Sequence, residues 1–317
     1  MMPPVGDVAR WLVYTQLRRA LNPAHPLPFQ LLRPLGRVLP TLSRARGALM
    51  ADEYQRCGIA PCVDAAWACT WRVALEELAL GRHTQLTLDA FIHFEGIEHL
   101  DDARRRGKGV VWVYPHAGPV MLMLAWLVAH GYPYTQYAAR GLAPKAVAEA
   151  HPELLGHNRW RQAVRTARED DENRTGATFL TLDQPARELY RTLARNELVG
   201  IAFDGRIGTK WRPYVFMGRR ALLNPGPFRL AASTGAALVP CYTHYPVDGG
   251  PAVCQVGPPI SGNEPDADIR ILAWAEAAVR RSPAEYGSWL LHCRQRNNID
   301  DHPMFDDHAP NFLAATK

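Results

Sequence analysis

The sequence predicts an α/β fold: a mostly parallel central sheet flanked by helices, with a helical region ahead of it. Three observations carry that expectation. The pentapeptide Val110–Tyr114 is apolar, β-branched or aromatic throughout, the pattern of a strand buried on both faces. It runs into a tight Pro115-His116-Ala117-Gly118-Pro119 turn and then into Val120–His130, an almost wholly apolar run without breakers. Strand, turn and helix thus describe one βα unit. Beyond residue 91, strand-like and helix-like segments alternate, as they do along a parallel sheet.

Taken in order, residues 1–50 are rich in Pro, Arg and Leu, with Val8, Trp11 and Leu12 on one helical face and Arg18 and Arg19 close behind. Such a segment suits a membrane surface and equally a helical lid packed on the core. Residues 51–90 read as helix, clearest in AAWACTWRVALEELALG and closed by Gly81. FIHFEGIEHL reads as a short strand and turn, and Asp101–Arg106 as a polar helix ended by Gly107. Tyr134–Ala139 is a strand ending at Arg140 and Gly141, with a helix beginning over Ala143–Ala150. Residues 156–178 are polar, and the run Arg168-Glu169-Asp170-Asp171-Glu172 reads as a solvated loop.

A short strand is expected near Phe179–Leu182. Asp183 then looks like an N-cap, with Pro185 in the first turn of a helix whose Ala186, Leu189, Tyr190 and Leu193 share one face. Leu198–Phe203 is a strand ended by Asp204-Gly205, and Pro225–Ser233 a helix closed by Gly235. Ala237–Tyr245 and Val253–Val256 are strands. Asp266 or Asp268 opens a helix with Ile269, Leu272, Ala273 and Val279 turned inward, and a last helix covers about 283–294. The expected organisation is a helical region over 1–90, an α/β domain over 91–300 and a tail over 301–317.

The 317 residues are 47 % hydrophobic, enough for a substantial core. A formal charge of +5 suits an anionic partner such as a phosphate or an acidic lipid surface, and is too weak to argue for nucleic acid. Cys57, Cys62, Cys69, Cys241, Cys254 and Cys293 contain no C-x-x-C pair, so neither a zinc site nor a disulfide framework is expected. The N-terminus lacks the pattern of a secretory signal, and no stretch of about 18 uncharged apolar residues suggests a spanning helix. The expected location is the cytoplasm, with peripheral contact at the inner face of the membrane through residues 1–40.

Ligands of open parallel sheets bind beyond the carboxyl ends of the strands. His116 follows one strand, Asp204 a later one and Arg140 a third, so the three share one edge. A histidine beside a carboxylate is the usual general-base arrangement, and a guanidinium there holds an anionic group. His116 reads equally as a structural histidine capping a turn. Arg206, Lys210 and Arg212 crowd the stretch after Asp204, either as phosphate-binding cations or as a solvated loop. Tyr114 is carried with them as a candidate binding residue, and backbone N–H groups near Gly118 as candidate oxyanion donors.

The stretch FEGIEHLDDARRRGKGVVWVYPHAGP resembles the approach to the active site in bacterial lauroyl/myristoyl (lipid A late) acyltransferases, members of the wider glycerolipid acyltransferase group. FDGRIGTKWRPYVFMGRRALLNPGPFRLAASTGAALVPCYTHY resembles that family's second region, and SPAEYGSWLLHCRQR its closing pattern. The resemblance spans about residues 91–296. It implies acyl transfer from a thioester, on acyl carrier protein or coenzyme A, to a hydroxyl, with a histidine base oriented by an acid five residues later. His116 matches the base, but Met121 stands where the acid belongs, and Arg206 replaces the second acid of an Asp-x-Asp turn begun by Asp204.

The resulting expectation is an acyltransferase acting on a small-molecule or glycolipid hydroxyl or amine. His116 serves as base and Asp204 orients it or binds the acceptor. Arg140, Arg206, Lys210 and Arg212 hold the anionic carrier arm or the acceptor. No metal or bound cofactor is expected beyond the acyl thioester co-substrate, which comes from acyl carrier protein or CoA. A non-catalytic acyl- or lipid-binding homologue and a thioester hydrolase are the alternatives.

Overall fold

A computed structural model describes residues 8, 11–25, 27–37, 44–138, 159–181, 184–206, 210–296 and 302–308. The main sheet contains β1 (Ile92–Glu95), β2 (Val110–Tyr114), β3 (Tyr134–Ala138), β4 (Thr178–Thr181), β5 (Leu198–Ala202), β8 (Ala237–His244), β9 (Ala252–Val256) and the short β10 (Ile260–Ser261). Between β5 and β8 the chain forms a separate two-stranded sheet, β6 (Arg212–Phe216) and β7 (Arg219–Leu223). The main strands lie in the order β1-β9-β8-β2-β5-β3-β4, with β10 beside β8. β8 is antiparallel to β9 and β10, and every other pairing in this sheet is parallel. The expected fold class is therefore observed.

The helices are α1 (Leu27–Leu32), α2 (Arg44–Arg56), α3 (Val63–Glu77), α4 (Gln85–Phe91), α5 (Glu98–Arg105), α6 (Val120–Ala129), α7 (Arg159–Arg174), α8 (Arg187–Ala194), α9 (Gly226–Thr234), α10 (Ala267–Arg281) and α11 (Gly287–Arg296). Side chains alternate across a strand, so β2 feeds two cores. Val111 and Val113 pack with α2, α8, α9, α10 and α11, whereas Val110, Trp112 and Tyr114 pack with α4, α5 and α6. All five are buried, and each such side chain contributes roughly 1.5–3 kcal/mol relative to exposure. This two-sided burial fixes β2 at the centre of the sheet and sets the position of the turn that follows.

Several expectations are corrected. Residues 159–174 form α7 rather than a solvated loop. Arg, Glu and Ala are good helix formers, and the helix is anchored where Asp171 is buried against Arg18 and the Trp160 ring meets Trp11 edge-on at 4.7 Å. From Arg212 to Leu223 the cation-rich stretch is a hairpin, not a loop. Tyr214 and Phe216 point inward while Val215 is exposed, and Met217 and Gly218 both take positive φ, as a two-residue turn between twisted strands requires. Helix across 51–90 is broken at Gly58–Pro61 and again after Glu77. In α10 the inward stripe runs through Ile271, Leu272, Ala275 and Val279, leaving Ile269 and Ala273 exposed. Asp183 and the helix expected over 143–150 lie outside the described residues, and the helix after Pro185 begins at Arg187.

Candidate active site

The site is a consequence of strand register. β2 and β5 are parallel neighbours in which Tyr114 faces Ala202. His116 and Asp204 lie two residues beyond that pair on their respective strands. The Phe203 N–H donates to the Tyr114 carbonyl at 3.2 Å, so the pairing extends to the edge of the site. His116 Nδ1 lies 2.7 Å from Asp204 Oδ1, and the backbone N–H of His116 donates to both carboxylate oxygens at 3.2 and 3.0 Å. Asp204 is fully buried, whereas 39 % of the His116 side chain is exposed.

A carboxylate on Nδ1 selects the tautomer with its proton on that nitrogen, leaving Nε2 as the acceptor. Among the described residues Nε2 has no hydrogen-bond partner. The remaining Asp204 oxygen accepts from the Tyr286 hydroxyl at 2.9 Å. Burial, and then the charge of Asp204, pushes the Tyr286 phenol well above its ordinary range, so this hydroxyl stays a donor. The Trp289 indole stacks on the imidazole with 3.8 Å between centroids and 12° between planes, and His292 stacks on Trp289 in turn at 4.8 Å. A cation formed on the ring would meet the negative face of the indole.

The segment carrying Tyr286 and Trp289 is bolted down from three sides. The Tyr54 hydroxyl donates to the Pro283 carbonyl at 2.9 Å, the Tyr242 hydroxyl to the Ser282 carbonyl at 2.5 Å, and the Tyr245 N–H to Glu285 at 3.0 Å. The turn carrying His116 is equally constrained. Gly118 has φ of +64°, and a Cβ there would sit 2.2 Å from the Thr243 carbonyl oxygen at the end of β8. Only glycine permits that approach. Sequence reasoning gave Tyr286 and Trp289 no role. The signal was present in the closing SPAEYGSWLLHCRQR stretch, but nothing in its spacing shows that it folds back over the His116 edge.

Other expected residues lie elsewhere. Arg206 is buried, donating to the carbonyls of Leu222 (2.8 Å) and His302, with its guanidinium 4.2 Å from the Trp211 ring centroid. Arg212 pairs with Asp268 at 3.0 Å, and Lys210 is exposed beside β6. Tyr114 points into the core on the opposite side of β2 from Val113 and donates to Gln136 at 2.5 Å. Arg206 and Arg212 are thus drawn into the hairpin and its neighbours rather than onto the imidazole. Arg140 lies outside the described residues. Met121 sits in the first turn of α6, half-buried against the core on the Trp112 side of β2. No cluster of three or more His, Cys, Asp or Glu side chains suited to a metal occurs among the described residues.

The chain is 29 % identical over 225 residues to a phosphatidylinositol mannoside acyltransferase of Mycolicibacterium smegmatis, an alignment covering 70 % of this chain and 64 % of the relative. It is 27 % identical over 200 residues to the Mycobacterium tuberculosis protein of the same name, covering 62 % and 57 % respectively. The matched region thus spans somewhat under two thirds of the length of these relatives. The model of the bacterial lipid A biosynthesis acyltransferase family matches residues 28–294, from the first helices to the end of the segment that carries Tyr286 and Trp289. With that match across most of its length, the chain belongs to the bacterial lipid A biosynthesis acyltransferase family.

Proposed function

We propose that the protein transfers an acyl group from a thioester, carried by coenzyme A or acyl carrier protein, to a hydroxyl of a glycolipid acceptor. The observation that carries this reading is the His116–Asp204 pair at 2.7 Å with Nε2 directed away from the carboxylate. It favours a hydroxyl over an amine, because a hydroxyl is the nucleophile that needs a base. The relatives' name supports a glycosylated lipid as the acceptor.

In this mechanism Nε2 of His116 takes the acceptor proton as the oxygen attacks the thioester carbonyl. The imidazolium is held between the Asp204 carboxylate and the Trp289 face. The tetrahedral oxyanion is met by a backbone N–H at Gly118. Collapse breaks the C–S bond, and the departing sulfur takes the proton back from Nε2. The ester and a free thiol are the products, and His116 returns to its starting form. Asp204 stays ionised throughout, orienting the ring and balancing its charge.

Access to a lipid acceptor is supported by the N-terminal helices. Leu27, Leu31 and Leu35 are 61 %, 69 % and 47 % exposed and recur every four residues, and exposed Arg19 lies close in sequence. That is the pattern of a face resting on an acidic lipid surface. No described helix is long and apolar enough to cross a membrane.

The test is a product assay with a long-chain acyl-CoA and a mannosylated phosphatidylinositol, read by mass spectrometry. Acylated acceptor that disappears in His116→Ala supports the transferase. Free fatty acid with no acylated acceptor would instead identify a thioester hydrolase.

A further inference from the structure

Residues 302–308 lie beyond the family-matched region, yet they are built into the wall behind Asp204. Pro303, Met304, Phe305 and His308 are all buried. In the hairpin, β6 takes one edge of β7. Along the other edge the Leu222 N–H donates to the Met304 carbonyl at 2.7 Å, and Ala221 forms an antiparallel bridge with Phe305. The segment thus covers the free edge of the hairpin as an added strand does.

One guanidinium staples this seam. Arg206, two residues beyond Asp204, donates to the Leu222 carbonyl at 2.8 Å and to the His302 carbonyl. Leu222 is therefore held through both of its backbone groups, the N–H by Met304 and the carbonyl by the residue that follows the Asp204 turn. A planar fork serves two carbonyls at once, which a lysine ammonium does not reproduce. At the far end of the segment, His308 meets Glu53 at 2.9 Å. The Arg219 guanidinium lies 3.7 Å from the Phe305 ring centroid while it binds Glu53 and Asp307.

The same wall bears on both neighbours of the Asp204 carboxylate. Phe203, the residue before it, and Tyr286, whose hydroxyl donates to it, belong to one buried cluster with Met304 and Phe305. Phe203 and Tyr286 each meet the Phe216 ring edge-on, at 5.5 and 6.3 Å. The Asn224 N–H, at the end of β7, donates to the Phe203 carbonyl at 3.3 Å. Interiors this closely packed transmit a displacement instead of absorbing it.

We propose that residues 302–308 are a positioning strap, in which Phe305 and Arg206 hold the Asp204 carboxylate against the His116 ring. The strap touches no reacting atom and acts through the carboxylate, so it governs kcat and leaves donor and acceptor binding alone. The proposal rests on the His116–Asp204 mechanism described above. A misplacement of about 1 Å in a catalytic group can cost on the order of 10²-fold in rate, so a strap that shifts Asp204 only slightly is visible in turnover.

The experiment uses the full chain with Phe305→Ala, Phe305→Leu and Arg206→Lys. Leu100→Ala is the control, a cavity in the buried core on the other face of β2. All are assayed below their thermal midpoints. The first arm is ring-nitrogen NMR of histidine-labelled protein, with the His116 signal assigned by its loss in His116→Ala. Phe305→Ala and Arg206→Lys are expected to displace the signal of the Nδ1 proton shared with Asp204, Phe305→Leu to restore most of it, and Leu100→Ala to leave it in place. The second arm is acyl transfer. In Phe305→Ala and Arg206→Lys kcat is expected to fall about ten- to hundredfold while both KM values stay within about twofold. Arg206→Lys and Phe305→Leu keep the test decisive if Phe305→Ala does not fold. A His116 signal unmoved in the folded strap variants, or a kcat loss matched by Leu100→Ala at a comparable fall in midpoint, would overturn the proposal. A displaced His116 signal with acyl transfer absent or unimpaired would instead tell against the transferase reading and leave the strap standing.

Discussion

The His116 imidazole and the Asp204 carboxylate, 88 positions apart in the chain, meet at 2.7 Å because two neighbouring parallel strands end in register. In the proposed mechanism the acid that orients the base is therefore supplied by the sheet rather than by the helix following the histidine. With that relationship in place, Met121 ceases to be a defect in the base. Asp204→Asn keeps the shape but removes the charge and the tautomer preference. Its kcat for acyl transfer is expected to fall by about 10³–10⁴ with little change in the donor KM, measured by initial rates at saturating acceptor.

Tyr286 and Trp289 act on that pair from outside. Removing the hydroxyl that donates to Asp204 forfeits a hydrogen bond to a charged group, worth about 1.5–3 kcal/mol. Tyr286→Phe is expected to lower kcat by roughly ten- to hundredfold. Trp289→Phe, which retains a ring face, should keep more activity than Trp289→Leu, which removes the stack on His116. Equal activity in the two Trp289 variants would show that the stack does not matter.

Arg206 is expected to serve the fold. Its guanidinium ties the chain after Asp204 to the Leu222 carbonyl in β7 and to the His302 carbonyl in the C-terminal segment. Arg206→Ala should lower the thermal midpoint by several degrees, from about 1–3 kcal/mol of lost bonding, without changing the donor KM. A donor KM raised tenfold at an unchanged midpoint would return this residue to substrate binding.

A second buried cluster sets an acid limit on stability. Fully buried Glu53 pairs with Arg219 at 2.8 Å and with His308 at 2.9 Å, joining α2 to β7 and to residues 302–308. Burial pushes Glu53 up, but the hydrogen bonds and charges of His308 and Arg219 outweigh it and hold the carboxyl below its ordinary 4.5. In the window below 4.5 the unfolded chain therefore binds the proton more readily. The stabilisation is complete above that value and is lost as the pH falls through the lower native one. Glu53→Gln should cost about 3–5 kcal/mol at neutral pH, and the gap in thermal midpoint between it and wild type should narrow on acidification below pH 4.5. A gap that widened there would contradict the assignment.

Much of the fold was legible because β2, β5 and β8 are buried on both faces and so are apolar at nearly every position, and because Gly and Pro punctuate what lies between. The two polar ends of β2 and β5 were legible for the same reason, since both stand where apolar runs stop. α7 was obscured because its buried contacts involve Trp160, Ala167 and the ion-paired Asp171 rather than an apolar stripe. The β6–β7 hairpin was obscured by its arginines, which read as a solvated loop until Glu53, Asp268 and Asp307 are seen beside them. Tyr286 and Trp289 depend on tertiary placement alone, set by three tyrosines distant in sequence.

The central claim is that His116 Nε2 removes the proton from the attacking hydroxyl. The direct measurement is formation of acylated glycolipid from acyl-CoA by His116→Ala alongside wild type, with the thermal midpoint confirming an intact fold. The account predicts loss of at least a thousandfold in product formation at an unchanged midpoint. Product accumulating at the wild-type rate in the folded variant would contradict it.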